Sequence, residues 1–356
     1  MRSYVLVIDS FKGCLSSLEA EAVVSETIRR ADPLAEVISV PVSDGGEGML
    51  DAFLAVMGGE RVSLRVRDPL GSPVTADYGI TRGQVVLIES AQAVGLHLVP
   101  PDRRNPLVAS SYGVGQLVTD AYRRGYRRFI IGLGGTATCD GGVGMLQALT
   151  DALGVAREAL GDALCNCHFT LASDVTNPLY GPRGAACVFA PQKGATPVMV
   201  SVIEGRMREL AARAADHLGY DRSGERGAGA AGGLGYAFMQ FLGAECRSGI
   251  DLLLEYLHFD DLVRGADCVI TGEGSADDQT LMGKLPYGIM RRARSAGVPT
   301  WLVAGRVGSR DKLLAAGFDR VVCINPPGTL LDVAMRPEVA RANLSASIRS
   351  LLETIP

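Results

Sequence analysis

No hydrophobic run in this sequence is long enough to span a bilayer. The longest stretch without a formal charge, residues 227–244 (GAGAAGGLGYAFMQFLGA), is glycine-rich in its first half and contains Gln240, so it reads as a loop entering a helix. The opening MRSYVLVIDSFKG has one basic residue and then a short strand-like run. An export signal would need a longer apolar core and a small-residue cleavage site. The eight cysteines are scattered with no CxxC pair, and Cys165-Asn166-Cys167-His168 has the wrong spacing for zinc. Reduced thiols in a cytoplasmic protein are therefore expected. Lys and Arg number 35 against 39 Asp and Glu, a net charge of −4. That balance gives no bulk-charge basis for a nucleic-acid partner, and nothing points to a membrane. GxSxG is missing, as is the phosphate-loop pattern GxxxxGK(S/T), and four scattered histidines suggest no nucleophile–base pair.

Glycine, by contrast, is abundant, with 44 in 356 residues and no collagen-like period, so the excess belongs to special loops. With 47% hydrophobic residues, a chain of this length suggests two domains at roughly 150 residues each.

Short β-branched runs alternate with helical periods. Strands are predicted at 4–8 and 36–42, with helices at 17–31, stopped by Asp32-Pro33, and from the 43–48 loop to residue 56. This β-α-β-α order predicts a parallel sheet with right-handed crossovers. Runs at 60–67, 74–80 and 84–89, separated by Asp68-Pro69-Leu70-Gly71 and Thr81-Arg82-Gly83, predict an antiparallel meander. A helix at 111–124 leads into a strand at 128–133, and strands at 268–271, 300–304 and 320–324 return to the opening rhythm, with helices near 288–296 and 312–316. The expected fold is α/β in two domains: a doubly wound, Rossmann-like parallel-sheet domain from residues 1–59 and 261–356, interrupted by an inserted mixed α/β domain at 60–260. Two consecutive domains split near 160 are the alternative.

In open parallel sheets ligands bind beyond the carboxyl ends of strands. Five such ends carry an acid or a base among glycines and hydroxyls: Asp9-Ser10-Phe11-Lys12-Gly13, Ser43–Gly48, Gly132–Gly142, Ser173–Asn177 and Thr271–Thr280. Glycine allows backbone N–H groups to approach an anion, and a following helix adds its positive end. Carboxylates there suit Mg²⁺, while Lys12, Lys193 and Lys284, each next to a glycine, offer point charges for phosphoryl oxygens. Singly, each feature has a structural explanation: Asp44 as a helix cap, Asp174 in an Asx turn, Asp277 bound to its own backbone, the lysines solvated. Their recurrence favours a polyanion site and phosphoryl transfer. Gly132–Ala137 also fits the dinucleotide pattern GxGxxG/A, but the acid about twenty residues on would be Asp151, within a helical stretch.

At these loops the sequence resembles the bacterial type I glycerate kinases. The similarity runs through DSFKGCLSS (9–17), PVSDGGEGMLDAF (41–53), NPLVASSYGVGQL (105–117), GLGGTATCDGGVGMLQAL (132–149), ASDVTNPLYGPRGAACVFAPQKGA (172–195), GAAGGLGYAFMQFLGA (229–244) and TGEGSADDQTLMGKLP (271–286). Cys14, Cys139 and Ser275-Ala276 depart from the family's usual residues.

The resemblance implies an ATP- and Mg²⁺-dependent kinase that phosphorylates D-glycerate at the 2-hydroxyl, with the active site in a cleft between two α/β domains. The needs of phosphoryl transfer to such an acceptor lead us to expect Asp44 or Asp174 as acceptor of the hydroxyl proton and Lys12 as a catalytic charge. Ser10, Gly45, Gly46, Gly134, Gly135, Thr136, Lys193, Gly232, Gly233, Glu273, Ser275, Asp277 and Lys284 are expected to bind substrate or nucleotide, and Asp174 and Asp277 to hold Mg²⁺. Transfer to the 3-hydroxyl or to a related hydroxy acid is the near alternative. A dinucleotide-dependent oxidoreductase and a sugar-acid sensor are alternatives of other classes. The sequence leaves open whether the chain forms a homodimer.

Overall fold

The computed structural model describes residues 1–11, 13–40, 42 and 48–354. Its strands are β1 (Ser3–Ile8), β2 (Glu36–Ser39), β3 (Gly59–Arg67), β4 (Pro73–Thr81), β5 (Val85–Glu89), β6 (Arg128–Gly132), β7 (His168–Ala172), β8 (Glu245–Arg247), β9 (Cys268–Ala276), β10 (Thr300–Val307) and β11 (Arg320–Cys323). The chain divides into two compact units, 1–44 with 250–356, and 45–249.

The first unit carries a parallel sheet in the order β11-β10-β9-β1-β2. In the chain order of its own strands this is 2-1-3-4-5, a doubly wound sheet whose direction of winding reverses between β1 and β9. Residues 4–8 of β1 are all buried, as a central parallel strand covered on both faces requires. Helices Ser17–Ala31 and Pro337–Glu353 pack Val24, Ile28, Leu344 and Ile348 over one face. Met290, Leu313 and Phe318 cover the other. The first of these helices begins in a capping box, Ser16 with Glu19, and ends at Ala31 with Asp32 as its C-cap.

The second unit holds a six-stranded mixed sheet, β3-β4-β5-β6-β7-β8. Strands β3, β4 and β5 are antiparallel neighbours, the expected meander, and β5 to β8 run parallel. Helices Tyr112–Arg123, Val143–Leu153 and Ala230–Leu242 flank it, and Phe129, Phe169 and Phe238 stack in its core at centroid spacings of 4.8 and 5.6 Å.

Four differences from the sequence expectations have physical reasons. Strand 268–271 continues as β9 to Ala276, because Glu273, Ser275 and Ala276 pair with Ala304, Arg306 and Val307 of an equally extended β10. Hence the first half of the expected 271–280 loop is strand. The unit boundaries fall at 44/45 and 249/250, not 59/60 and 260/261. Helix Met49–Met57 packs on β4, where a Cβ on Gly79 would lie 2.7 Å from Leu50 Cδ1, and Arg292 in the first unit draws Asp251 and Asp260 to within 3.8 and 3.5 Å. A split near 160 fails because β6 and β7, on either side of it, pair in register. Strand β8 and helices Pro197–Leu218 and Pro337–Glu353 have no counterpart in the sequence expectations. Among the described residues no helix is long and apolar enough to cross a membrane.

Candidate active site

In the second unit, register places Glu89, Gly132, Ala172 and Arg247 in one row across the carboxyl edge of β5 to β8. The Gly132–Gly142 loop leaves this row and is stitched to the segment before it. Leu96 N–H donates to the Gly135 carbonyl at 2.8 Å, Ala137 N–H to Val94 at 2.8 Å, and Ser90 Oγ to the Gly132 carbonyl at 2.7 Å. Gly134 is half-buried and Gly135 exposed, with φ at +69°, a conformation that favours glycine. Thr136 is buried.

Lys193 lies inside the fold, 4% exposed. Its ammonium donates to Thr136 Oγ1 at 3.1 Å and to the Thr138 carbonyl at 2.7 Å. Burial holds its pKa below the usual lysine range, opposed by Cys139 and Asp140. The exposed point charge expected here is instead a buried strut of the loop. Gly232 and Gly233 are buried as well, with φ at +68° and +90°. A Cβ on Gly232 would meet the Thr138 carbonyl oxygen at 2.0 Å, one on Gly233 would meet Gly141 Cα at 2.7 Å, and Gly141 N–H donates to the Gly232 carbonyl at 3.0 Å. These two glycines let one backbone lie against another.

Asp174 follows β7 and is exposed. Asn177 of the same segment accepts the Gly229 N–H on its carbonyl at 2.9 Å. The 132–142, 173–177 and 229–233 segments are therefore one bonded assembly at the carboxyl edge of this sheet.

Asp140, Ser111 and Glu89 belong to it; Asp140 is the acid of the expected 132–142 loop but has no role of its own among the sequence expectations, and Ser111 and Glu89 are not among the expected site residues. Asp140 accepts from Ser111 N–H and Oγ, each at 2.8 Å, and from Gly144 N–H at 3.1 Å. Glu89, 2% exposed, accepts Leu50 N–H at 3.3 Å at the start of helix Met49–Met57. The available signal for Glu89 was an acid ending an otherwise apolar strand, VVLIE.

In the first unit the residues gather at the β1/β9 reversal. Asp9 N–H donates to the Gly272 carbonyl at 2.9 Å, and Ser10 N–H to Asp9 Oδ1 at 2.7 Å. Glu273, on the next position of β9, is buried and accepts Thr280 Oγ1–H at 2.5 Å and the Lys284 ammonium at 3.4 Å. Burial raises its pKa against these two partners. Ser275 and Asp277 are half-buried, and Asp277 Oδ1 accepts the Gln279 N–H at 2.9 Å. Lys12, Asp44, Gly45 and Gly46 lie outside the described residues.

No cluster of three or more metal-ligating side chains occurs among the described residues. Mg²⁺ needs no such cage, since one or two carboxylates with substrate phosphates suffice. Taken singly, the exposed Asp174 of the second unit and the half-buried Asp277 of the first each offer a carboxylate of that donor chemistry. The dinucleotide alternative lacks its acid: Asp151 sits within helix Val143–Leu153, bonded to Tyr112 and Gln147.

Comparison with known proteins decides the family. The model of the glycerate kinase family matches residues 4–157 and 153–356. This chain belongs to the glycerate kinase family. It is 37% identical to glycerate 2-kinase of Escherichia coli K12, over 99% of this chain and 97% of that one. It is 40% identical to a glycerate kinase of Bacillus subtilis 168, over 93% of this chain and 92% of the other. A solved structure described as glycerate kinase 2 from Salmonella typhimurium LT2 is similar with a TM-score of 0.83 at 36% identity, covering 99% of this chain and 98% of that one. As a member of a kinase family, the chain takes ATP as its phosphoryl donor and a small molecule as acceptor.

Proposed function

We propose that this chain transfers the γ-phosphoryl group of ATP to O2 of D-glycerate, giving 2-phospho-D-glycerate and ADP. The observation that carries the proposal is near full-length similarity to a glycerate 2-kinase. The glycine-and-acid loops at the carboxyl ends of both sheets support it, because phosphoryl transfer depends on positioned phosphates and charge stabilisation.

In this mechanism Asp44 or Asp174 accepts the proton of the 2-hydroxyl as its oxygen bonds to the γ-phosphorus and the bond to the β,γ-bridging oxygen breaks. Lys12 and Lys284 neutralise charge on the transferred group. Loops 132–142 and 43–48, with Ser10 and Ser275, supply N–H and hydroxyl donors for phosphate and for the glycerate carboxylate. Lys193, Gly232 and Gly233 hold the first of those loops in shape. Mg²⁺, when bound, offsets negative charge on the phosphates. Asp174 and Asp277 would hold it, and Glu273 would orient substrate through Lys284.

The test is ADP release coupled to D-glycerate in the presence of ATP and Mg²⁺. Turnover that requires D-glycerate supports the proposal. Turnover with another small hydroxy acid and none with glycerate overturns it.

A further inference from the structure

Glu21 has no part in the site described above, yet it is one of the most enclosed carboxyl groups in the chain, 1% exposed on helix Ser17–Ala31. Its Oε1 accepts the backbone N–H of Ile8 at 3.1 Å. Its Oε2 has no hydrogen-bond partner among the described residues. One helical turn earlier, Ser17 Oγ donates to the Ile8 carbonyl at 2.6 Å and accepts the Val42 N–H at 3.0 Å. Glu21 and Ser17 together therefore hold both backbone polar groups of the last residue of β1, and Ser17 also holds the chain shortly beyond β2. In sequence, Ile8 immediately precedes the segment with Ser10 and Lys12, and Val42 precedes the segment with Asp44.

We propose that Glu21 is a positioning residue for phosphoryl transfer: with Ser17 it fixes the backbone at Ile8 and Val42, the points from which the segments carrying Ser10, Lys12 and Asp44 depart. The assignment rests on the kinase reading above.

The chemistry of the position gives this anchor a pH dependence. Burial pushes the Glu21 carboxyl up to about 8, against the lowering effect of the Ile8 and Val40 backbone, so near neutrality it is held as the uncharged acid. Among the described residues no cation pairs with it, and Arg29 and Arg30, which line the same surface pocket, are engaged elsewhere. On its own helix, Glu19 pairs with Arg341 and Glu26 with Arg30, while Arg29 reaches the Val37 carbonyl. β1 contributes Tyr4 and β2 an exposed Glu36; helix Pro337–Glu353 contributes Glu338, Arg341, Arg349 and Glu353. Among the described residues none of these forms an ion pair with Glu21. Ionisation places a charge without an ion-pair partner among the described residues on a carboxyl that is 1% exposed, and the backbone it holds must give.

The test compares the wild type with Glu21→Gln and Glu21→Ala as full chains. Gln keeps an acceptor for Ile8 without the ionisation. The kcat of the wild type should fall through pH 8, and Glu21→Gln should lose that alkaline limb. Glu21→Ala should lose about 10- to 100-fold in kcat, with KM changing far less, as expected for small misplacement of reacting groups.

Amide hydrogen exchange over residues 8–13 and 40–48 reads the anchoring without turnover. It should be faster in Glu21→Ala than in the wild type at the same pH, and, with the intrinsic base catalysis of exchange divided out, protection in the wild type should fall above pH 8 while that of Glu21→Gln does not. Identical kcat–pH profiles for wild type and Glu21→Gln, or unchanged exchange in Glu21→Ala, overturn the assignment. No turnover of glycerate by the wild type, with the exchange effect intact, overturns the kinase reading and leaves the anchor standing.

Discussion

The ammonium group of Lys193 lies 2.7 Å from the carbonyl oxygen of Thr138, in the interior, beneath the Gly132–Gly142 loop. Its two acceptors are a carbonyl and a hydroxyl, not a carboxylate. Next to it, the Thr138 hydroxyl has no hydrogen-bond partner among the described residues. A cation in so dry a place is costly unless it does something for the backbone around it.

Lys193→Met should therefore lower kcat by at least about tenfold, since the loop loses its strut. The stability effect has a definite sign. Burial holds the folded-state pKa of Lys193 below the ordinary lysine value of 10.5, so between those values the unfolded chain binds the extra proton, and stability rises with pH. The wild type should gain thermal stability relative to Lys193→Met as pH climbs from that depressed value toward 10.5. A melting-temperature difference that stays flat through the alkaline range would contradict the buried position.

Gly232→Ala places a Cβ 2.0 Å from the Thr138 oxygen at a φ of +68°, a strain of about 1–3 kcal/mol before any steric shift. Melting temperature and kcat should fall together. Gly205→Ala is the control. That glycine lies within helix Pro197–Leu218 with nothing inside 4 Å of the new Cβ, so a stabilisation of about 0.4–1 kcal/mol is expected, with turnover unaltered. Calorimetry with steady-state kinetics checks both.

Two aspartates should separate cleanly. Asp140 bonds Ser111 and the start of helix Val143–Leu153, so Asp140→Ala should unfold at lower temperature by roughly 1–3 kcal/mol. Asp174 is exposed beyond β7, so Asp174→Asn should melt near the wild-type temperature. If it accepts the hydroxyl proton, it should lose about 10²–10⁴-fold in kcat. A stable Asp174→Asn with full turnover assigns that proton to Asp44.

Glu273 is buried, and its pKa is raised above 4.5 chiefly by desolvation. The folded state then keeps a proton that the unfolded chain has released, so its contribution to stability is present at low pH and lost as pH rises from 4.5 through the folded-state value. Relative to Glu273→Gln, the wild type should lose thermal stability over that interval. The variant also frees Lys284, and a fall of about tenfold or more in kcat/KM is expected, ~1.4 kcal/mol of transition-state stabilisation.

What was legible in the sequence was local. The β1 run YVLVI, the capped helix after it and the meander with its Asp-Pro-Leu-Gly turn each carry their signal within a few residues, and the structure has all three. The loops at 132–142 and 173–177 were visible because glycines and acids follow apolar strands. Pairing partners were not visible. β9 runs on through Gly-Glu-Gly-Ser-Ala only because β10, far along the chain, extends beside it. Lys193 reads in sequence as a charge for phosphoryl oxygens because nothing in PQKG reveals the threonines that enclose it. The roles of Asp140 and Glu89 are not legible for the same reason: their partners, Ser111 and Leu50, are 29 and 39 residues away.

The central claim is tested most directly by phosphorus NMR of the protein mixed with ATP, Mg²⁺ and D-glycerate. The expected result is loss of the γ-phosphate signal, stoichiometric ADP, and a single new monoester coupled to the one proton on C2. A monoester coupled to the two protons on C3, or ADP formed with inorganic phosphate and no monoester, would contradict it.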